Sequence, residues 1–267
     1  MNNFAQINTE QVYDYLQEKI LFLPIGAIEQ HGPHLPLSVD CVIPEKICHE
    51  LALRLNGLVA PTINYGARSL PQSGGGLDFL GTIYVRGSTL IDYVHDIIQA
   101  YIVSGARYII ILNGHYENEG FIFEAIDQLR EKNTLNSISL IALSWWSVIN
   151  TSLVAELFGK NFVGWHAEHA SLVETSLMLY LQPVGINSIR VNNSTPPEAG
   201  IFFYPRDPKQ VSCRGVLHRT LEASAQAGEI LFKEIVQKLE TTISCHLHEW
   251  LISNNTNSNI LIKEKND

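Results

Sequence analysis

The sequence predicts an α/β protein of three layers, a mainly parallel sheet flanked by helices. Three observations point there. Short, continuously apolar runs such as Ile20–Ile25 and Tyr108–Leu112 have the length and composition of strands buried on both faces. Between them lie stretches with helical caps and spacing, and strand–helix alternation of this kind builds parallel sheets. The densest polar motifs begin directly after two of the apolar runs, where open α/β sheets bind ligands. With 267 residues, 46% of them hydrophobic, the chain can bury one large core. Residues 1–252 read as a single domain and 253–267 as a polar, disordered tail.

The elements follow in order. Asn8 or Thr9 is placed to cap a helix over Thr9–Glu18, and Ile20–Ile25 is the first strand. Proline suits a first helical turn, so Pro44 is expected to begin a helix reaching about Leu55. Leu58–Ile63 reads as the second strand. Residues 71–76, Pro-Gln-Ser-Gly-Gly-Gly, form a loop, because three glycines leave the backbone free for a close approach. Thr82–Val85 is a short strand. Ser88 and Gly105 bracket a long helix as cap and stop. Tyr108–Leu112 is a strand, Asn118–Lys132 a helix and Ile138–Leu143 another strand. Helices are expected over Ala167–Leu181 and from Thr220 to about Glu240, separated by a proline-rich loop over 193–215.

Composition excludes several functions. A net charge of −9 opposes nucleic-acid binding, which needs a basic face. No apolar run approaches the ~18 residues of a membrane span. Cys41, Cys48, Cys213 and Cys245 form no C-x-x-C pair and no dense framework. With no N-terminal signal pattern, they read as reduced thiols in a cytoplasmic protein.

Residues 29–40 read Glu-Gln-His-Gly-Pro-His-Leu-Pro-Leu-Ser-Val-Asp, and residues 113–118 read Asn-Gly-His-Tyr-Glu-Asn. Glu29, His31, Asp40, His115 and Glu117 thus follow two strands, and mixed carboxylate and imidazole ligands suit a divalent metal. One metal with three protein ligands leaves two of them unused. Two metals with three ligands each use all five if one carboxylate bridges, and Asp40 is the natural bridge. Such a pair, ~3.5–4 Å apart, activates a shared water for hydrolysis. The competing reading has His31 and His34 capping a turn, with Glu117 as an acid at a helix start. It accounts for any one of these residues more readily than for all five.

At these motifs the chain resembles the creatininase (creatinine amidohydrolase) family. Gly26-Ala27-Ile28-Glu29-Gln30-His31-Gly32-Pro33-His34, ending at Asp40, is similar to the family's first metal motif. Asn113-Gly114-His115-Tyr116-Glu117-Asn118 is similar to the second in creatininase proper. Gln72-Ser73-Gly74-Gly75-Gly76, Ser144-Trp145-Trp146, Gly164-Trp165-His166-Ala167-Glu168-His169 and Glu174-Thr175-Ser176-Leu177-Met178-Leu179 extend the likeness across roughly residues 8 to 240. The resemblance implies Glu29, Asp40 and His115 around one metal, and His31, Asp40 and Glu117 around the other. It also implies Ser73, Tyr116, Trp146, Trp165, His166 and His169 around the substrate. Glu117 and His169 would be catalytic, His169 handing a proton to the departing nitrogen after a metal-bridging hydroxide attacks the amide. Indole faces suit a flat, partly cationic amidine ring, and a histidine suits proton delivery. Zinc and manganese are the expected metals, with iron also compatible. A homohexamer is the assembly implied, and the aromatic run Ile201-Phe202-Phe203-Tyr204 is of the kind found at interfaces.

One departure bears on substrate. Where creatininase proper carries an aspartate after the pocket tryptophan, this chain has His166, and Ser147 likewise stands where an acid is expected. Three readings follow. The first is a cyclic amidohydrolase opening creatinine to creatine. The second keeps the metal chemistry on another amide, as in the family's deformylase and peptide-processing branches. The third is a non-catalytic metal- or nucleotide-binding module, although Gly26 and Gly32 do not make a Gly-x-Gly-x-x-Gly turn.

Overall fold

The computed structural model describes residues 2–70, 74, 78–202 and 214–264, with the backbone alone from 253 to 264. Among them, four strands form one parallel sheet: β1 (Ile20–Ile25), β2 (Gly57–Val59), β3 (Tyr108–Asn113) and β4 (Ser139–Ser144), in the order β2-β1-β3-β4. The helices are α1 (Thr9–Glu18), α2 (Val39–Arg54), α3 (Gly87–Val103), α4 (Glu119–Glu131), α5 (Thr151–Phe158), α6 (Leu172–Leu181) and α7 (Ala225–Glu264).

The period of two in a strand sorts side chains between two cores. Ile20, Phe22, Ile110 and Leu112 pack with residues of α2, α5, α6 and α7 on one face. Leu21, Leu23, Ile25, Ile109 and Ile111 pack with α1, α3 and α4 on the other. That is the three-layer arrangement the apolar runs imply. The crossover from β1 runs through α2 to β2 on one side, and the crossover from β3 runs through α4 to β4 on the other. The order therefore reverses between β1 and β3, and the crevice at their carboxyl ends is where such sheets bind ligands.

Several element boundaries depart from expectation for local reasons. The Asn8 side chain accepts from the Glu10 and Gln11 backbone N–H groups and Gln11 reaches back, so α1 opens on a full capping box. β2 stops at Val59 rather than Ile63 because Pro24 faces it without an N–H. Pro24 accepts from Ile63 N–H at 3.1 Å but cannot return a bond, so pairing survives there only as an isolated bridge, Ile25 with Ile63. Thr82–Val85 is likewise reduced to the isolated bridges of Ile83 and Val85.

α2 begins at Val39 and contains Pro44 in its interior, rather than beginning at the proline. Pro44 has no N–H for the Asp40 carbonyl, and that carbonyl turns toward Gly26 and Gly114. A Cβ on those glycines would lie 2.4 Å and 2.1 Å from the Asp40 oxygen. Only glycine lets the first turn of α2 press against the two strand ends, and this brings Asp40 into the crevice. α3 starts at Gly87 after Arg86, with no side-chain cap from Ser88, while Gly105, at φ +113°, closes it as expected.

The helix expected over Ala167–Leu181 is split. Residues Trp165–Ala167 make one 3₁₀ turn and α6 starts only at Leu172. Gly164 and Ala170 hold φ of +132° and +52°, which a helix does not accommodate. α5, capped by Asn150, was not anticipated, and α7 starts at Ala225 and continues beyond Glu240 to Glu264. No described helix is long and apolar enough to cross a membrane. Cys41, Cys48 and Cys245 are free thiols, and Cys213 lies outside the described residues.

Candidate metal centre

Glu29, His31, Asp40 and His115 meet at the crevice between β1 and β3, each no more than 3% exposed. The two histidines are arranged alike. His31 Nδ1 lies 3.1 Å from the Glu29 backbone oxygen and His115 Nε2 lies 3.0 Å from the Ala67 oxygen. An imidazole nitrogen facing a carbonyl carries a hydrogen, so the opposite nitrogen of each ring is the one that turns a lone pair to the cluster once its own proton is displaced. His31 Nε2 is 3.2 Å from Asp40 Oδ1. His115 Nδ1 is 3.1 Å from Asp40 Oδ2 and 3.2 Å from Glu29 Oε2. One imidazole nitrogen tied to a backbone carbonyl and the other aimed at carboxylates is the orientation that metal-ligating histidines require.

Asp40 divides its two oxygens between the two histidines. Around it the ligand atoms form overlapping groups, each within 4.8 Å: Glu29, Asp40 and His115 in one, His31, Asp40 and Glu174 in the other. A third group joins Glu29, His31 and His169. Glu29 is held from behind by a short hydrogen bond from the Ser69 hydroxyl to Oε1, leaving Oε2 to the cluster.

Among the described residues, no ligand group brings Glu117 together with His31 and Asp40, the pairing that the resemblance implied. Its Oε1 accepts from the Leu70 N–H at 2.8 Å, and Oε2 lies 3.3 Å from His115 Nε2, on the side of the ring away from Asp40. The second carboxylate beside His31, after Asp40, is Glu174, 3.7 Å from Nε2. It comes from the first turn of α6, and the left-handed Ala170 aims its N–H at Glu174 Oε2, 2.6 Å away. Glu168 steadies that turn by accepting from the Val173 and Glu174 N–H groups. The sequence signal for Glu174 was an acid inside an otherwise apolar helical stretch, which is costly to bury without a partner.

The electrostatics match this geometry. Burial by itself would lower the His31 pKa, but Asp40 and Glu174 outweigh it and hold it up at about 10. Burial opposes charge on His115 too, and Glu117 and Glu29 lift its pKa well above the usual value. Asp40 is pushed up by burial and pulled below its ordinary range by His31 and His115. Burial raises Glu174 to about 7, against the pull of His31. The acids thus demand positive charge, which a divalent cation held by these residues would supply in place of the imidazole protons. Among the described residues, His31 Nε2 and Asp40 Oδ2 are buried without a well-aligned hydrogen bond, and both face the centre of the cluster. The donor set fits a pair of divalent ions.

Over the cluster lies a cavity of about 130 Å³, walled by Tyr116, Trp145, Trp146, Trp165 and His166. An apolar cavity of ~150 Å³ accepts one benzene-sized ring. Trp145, 2% exposed, stands edge-on to Trp146 and Trp165 with ring centres 5.4 Å and 6.2 Å away. The sequence reading named only the outer two. Tyr116 is exposed and tilted against Trp146 at 6.5 Å. His166 is exposed at the rim, against Gly164, where a Cβ would lie 2.8 Å from its ring. His169 is buried with Nδ1 4.0 Å from Glu29 Oε2. Ser73 lies outside the described residues, as do Gln72, Gly75, Gly76, Phe203 and Tyr204.

Residues 5–243 match the creatininase family, described as creatinine amidohydrolase. Over 231 residues the chain is 38% identical to the creatinine amidohydrolase of Pseudomonas putida, covering 84% of this chain and 88% of that protein. It is 28% identical over 239 residues to a mycofactocin precursor peptide peptidase of Mycobacterium ulcerans, covering 84% of each. Solved creatininase structures, one a manganese form and one a zinc–zinc form of a glutamate-to-glutamine variant, superpose with a TM-score of 0.84 at 34% identity. They cover 90% of this chain and 96% of theirs.

Proposed function

The chain belongs to the creatininase family of hydrolases, and on that premise we propose that it is a binuclear metal-dependent amidohydrolase opening the creatinine lactam to creatine. The observation that carries this reading is the pair of histidines anchored at one nitrogen and turned with the other onto the two oxygens of Asp40. It lies beneath a cavity sized for a single small ring. In this reading Glu29, Asp40 and His115 hold one ion, and His31, Asp40 and Glu174 the other. Zinc and manganese suit the set, and so does iron. When bound, the ions supply Lewis-acid charge and bring the pKa of a water toward ~7.

The protein's own groups do the rest. Trp146 and Trp165 hold a flat amidine ring by stacking and cation–π attraction. Tyr116 and His166 border the entrance, and the resemblance implies a substrate contact for Ser73. Glu117 steadies His115 from behind, as a carboxylate does for a metal-ligating histidine. Opening the lactam adds water across one C–N bond, leaving a carboxylate, and the departing nitrogen gains a hydrogen. The His169 ring adjoins the carboxylate and imidazole groups of the cluster, placed to hydrogen-bond the reacting amide.

A second reading rests on His166. A neutral or cationic side chain at the rim, in place of the acid, favours a different small amide, and a relative at 28% identity is a peptide peptidase. Zinc- or manganese-loaded protein assayed on creatinine, N-formyl compounds and short peptides separates the two. Creatinine turnover at the highest kcat/KM supports the first, and turnover confined to the other amides replaces it. We also assign the chain a homo-oligomeric assembly, supported by the exposed side chains of Ile201 and Phe202 beside the pocket. Light scattering at micromolar concentration giving a hexamer agrees, and a monomer does not.

A further inference from the structure

Gln30 lies between Glu29 and His31 in the chain, yet its side chain enters a buried corner where three segments meet. Its Nε2 is 2.8 Å from the Gly74 oxygen, 3.0 Å from the Gly215 oxygen and 2.9 Å from His169 Nε2. Its Oε1 accepts from the Gly32 N–H at 3.0 Å. A carboxamide's orientation is assigned from its partners, and these partners allow one orientation. Carbonyl oxygens only accept and a backbone N–H only donates. Reversing the amide would set its oxygen against two carbonyls and its NH₂ against an N–H. Gly215, at φ +75°, closes the corner, since a Cβ there would sit 1.9 Å from Gln30 Oε1.

The NH₂ has two hydrogens for three neighbours, so His169 Nε2 shares one of them with a carbonyl, and it faces a group with no lone pair to receive a hydrogen from it. It must present its own lone pair, and a neutral imidazole with a lone pair on Nε2 carries its hydrogen on Nδ1. Nδ1 is the nitrogen on the cluster side, near Glu29, and the ring packs against His31 with centres 4.4 Å apart. The His169 backbone is pinned as well, its carbonyl accepting from the Ser171 hydroxyl and the Leu217 N–H.

We infer that Gln30 is a positioning residue: it fixes His169 in the tautomer with hydrogen on Nδ1, so that His169 meets the reacting amide as an N–H donor. This replaces the proton-carrier role expected from the sequence. A carrier needs an open nitrogen on the substrate side, and the open nitrogen here is turned to Gln30. A fixed donor aimed at developing charge works as an oxyanion-hole group does, with typical losses on removal of ~10²–10³-fold in kcat. The catalytic part of this inference rests on the amidohydrolase reading, and the tautomer does not.

The test is ¹⁵N NMR of histidine-labelled, zinc-loaded protein, with the His169→Ala spectrum identifying the His169 resonances. The expected result is a pyridine-type Nε2 and a pyrrole-type Nδ1. In Gln30→Glu the new carboxylate accepts from Nε2–H, so the tautomer should invert. On whichever amide the protein turns over, kcat should fall about 10²-fold, with KM within a few-fold and zinc content unchanged. Hydrogen on Nε2 in the unaltered protein overturns the inference, even if the variant fails to fold. So does a folded Gln30→Glu with the original tautomer or the original kcat. If no amide is turned over, the proposed function fails while the spectrum still decides the tautomer.

Discussion

Asp40 is the residue on which both halves of the cluster depend, because each of its oxygens faces a different histidine. Asp40→Ala should therefore reduce bound metal from two ions per chain to near none, measured by elemental analysis after gel filtration. Glu174→Gln should cost one ion and spare the other. Glu117→Gln should keep both ligand sets and weaken the His115 side by about 10–100-fold in affinity, the usual effect of losing a group that orients a ligand. Retention of two ions by Glu174→Gln, with loss of one in Glu117→Gln, would restore the pairing expected from sequence. The convergence of Glu29, His31, Asp40 and His115 was legible because their motifs follow directly on two strands. Spacing alone could not say on which side of the His115 ring Glu117 would fall. Nor could it bring Glu174 across from α6, a contact made only by the folded chain.

At the scale of elements, the strand cores were legible because continuous apolar runs leave little choice of burial. The interruptions were not, since each arises from a partner distant in sequence. Pro24 ends the pairing of β2 from the neighbouring strand, and Glu168 and Ala170 move the start of α6 past His169. The start of α2 is set by the glycines directly after β1 and β3 rather than by its own proline. This contact can be tested directly. A methyl group at Gly114 would sit 2.1 Å from the Asp40 carbonyl and 2.7 Å from a ring carbon of Pro44, neither on a flexible side chain. Gly114→Ala should lower stability by about 1–3 kcal/mol, as overpacking does, and reduce metal content because Asp40 is displaced. A variant with an unchanged thermal midpoint and full metal would show that α2 has slack at this contact.

For the whole molecule, the cluster gathers carboxylates and imidazoles into a buried crevice, so the fold's stability is tied to what neutralises them. A ligand at 100 times its Kd adds about 2.7 kcal/mol per site. In a chain of this size each kcal/mol moves the thermal midpoint by roughly 2–4 °C. With two sites, chelation followed by dialysis should therefore lower the midpoint by about 10–20 °C, and zinc or manganese should restore it, whereas magnesium should not. An unchanged midpoint would mean that the buried acids are neutralised by other means. The three-layer order was foreseeable because alternating strands and helices admit few arrangements. The location of the site followed, because the order reverses between the two strands that carry the motifs.

The most direct measurement is anomalous diffraction from crystals grown with zinc, recorded on both sides of the zinc absorption edge. The account predicts two peaks per chain about 3.5–4 Å apart, with one Asp40 oxygen on each, Glu29 and His115 on the first, and His31 and Glu174 on the second. A single peak, or two peaks with Asp40 bound to only one of them, would contradict it.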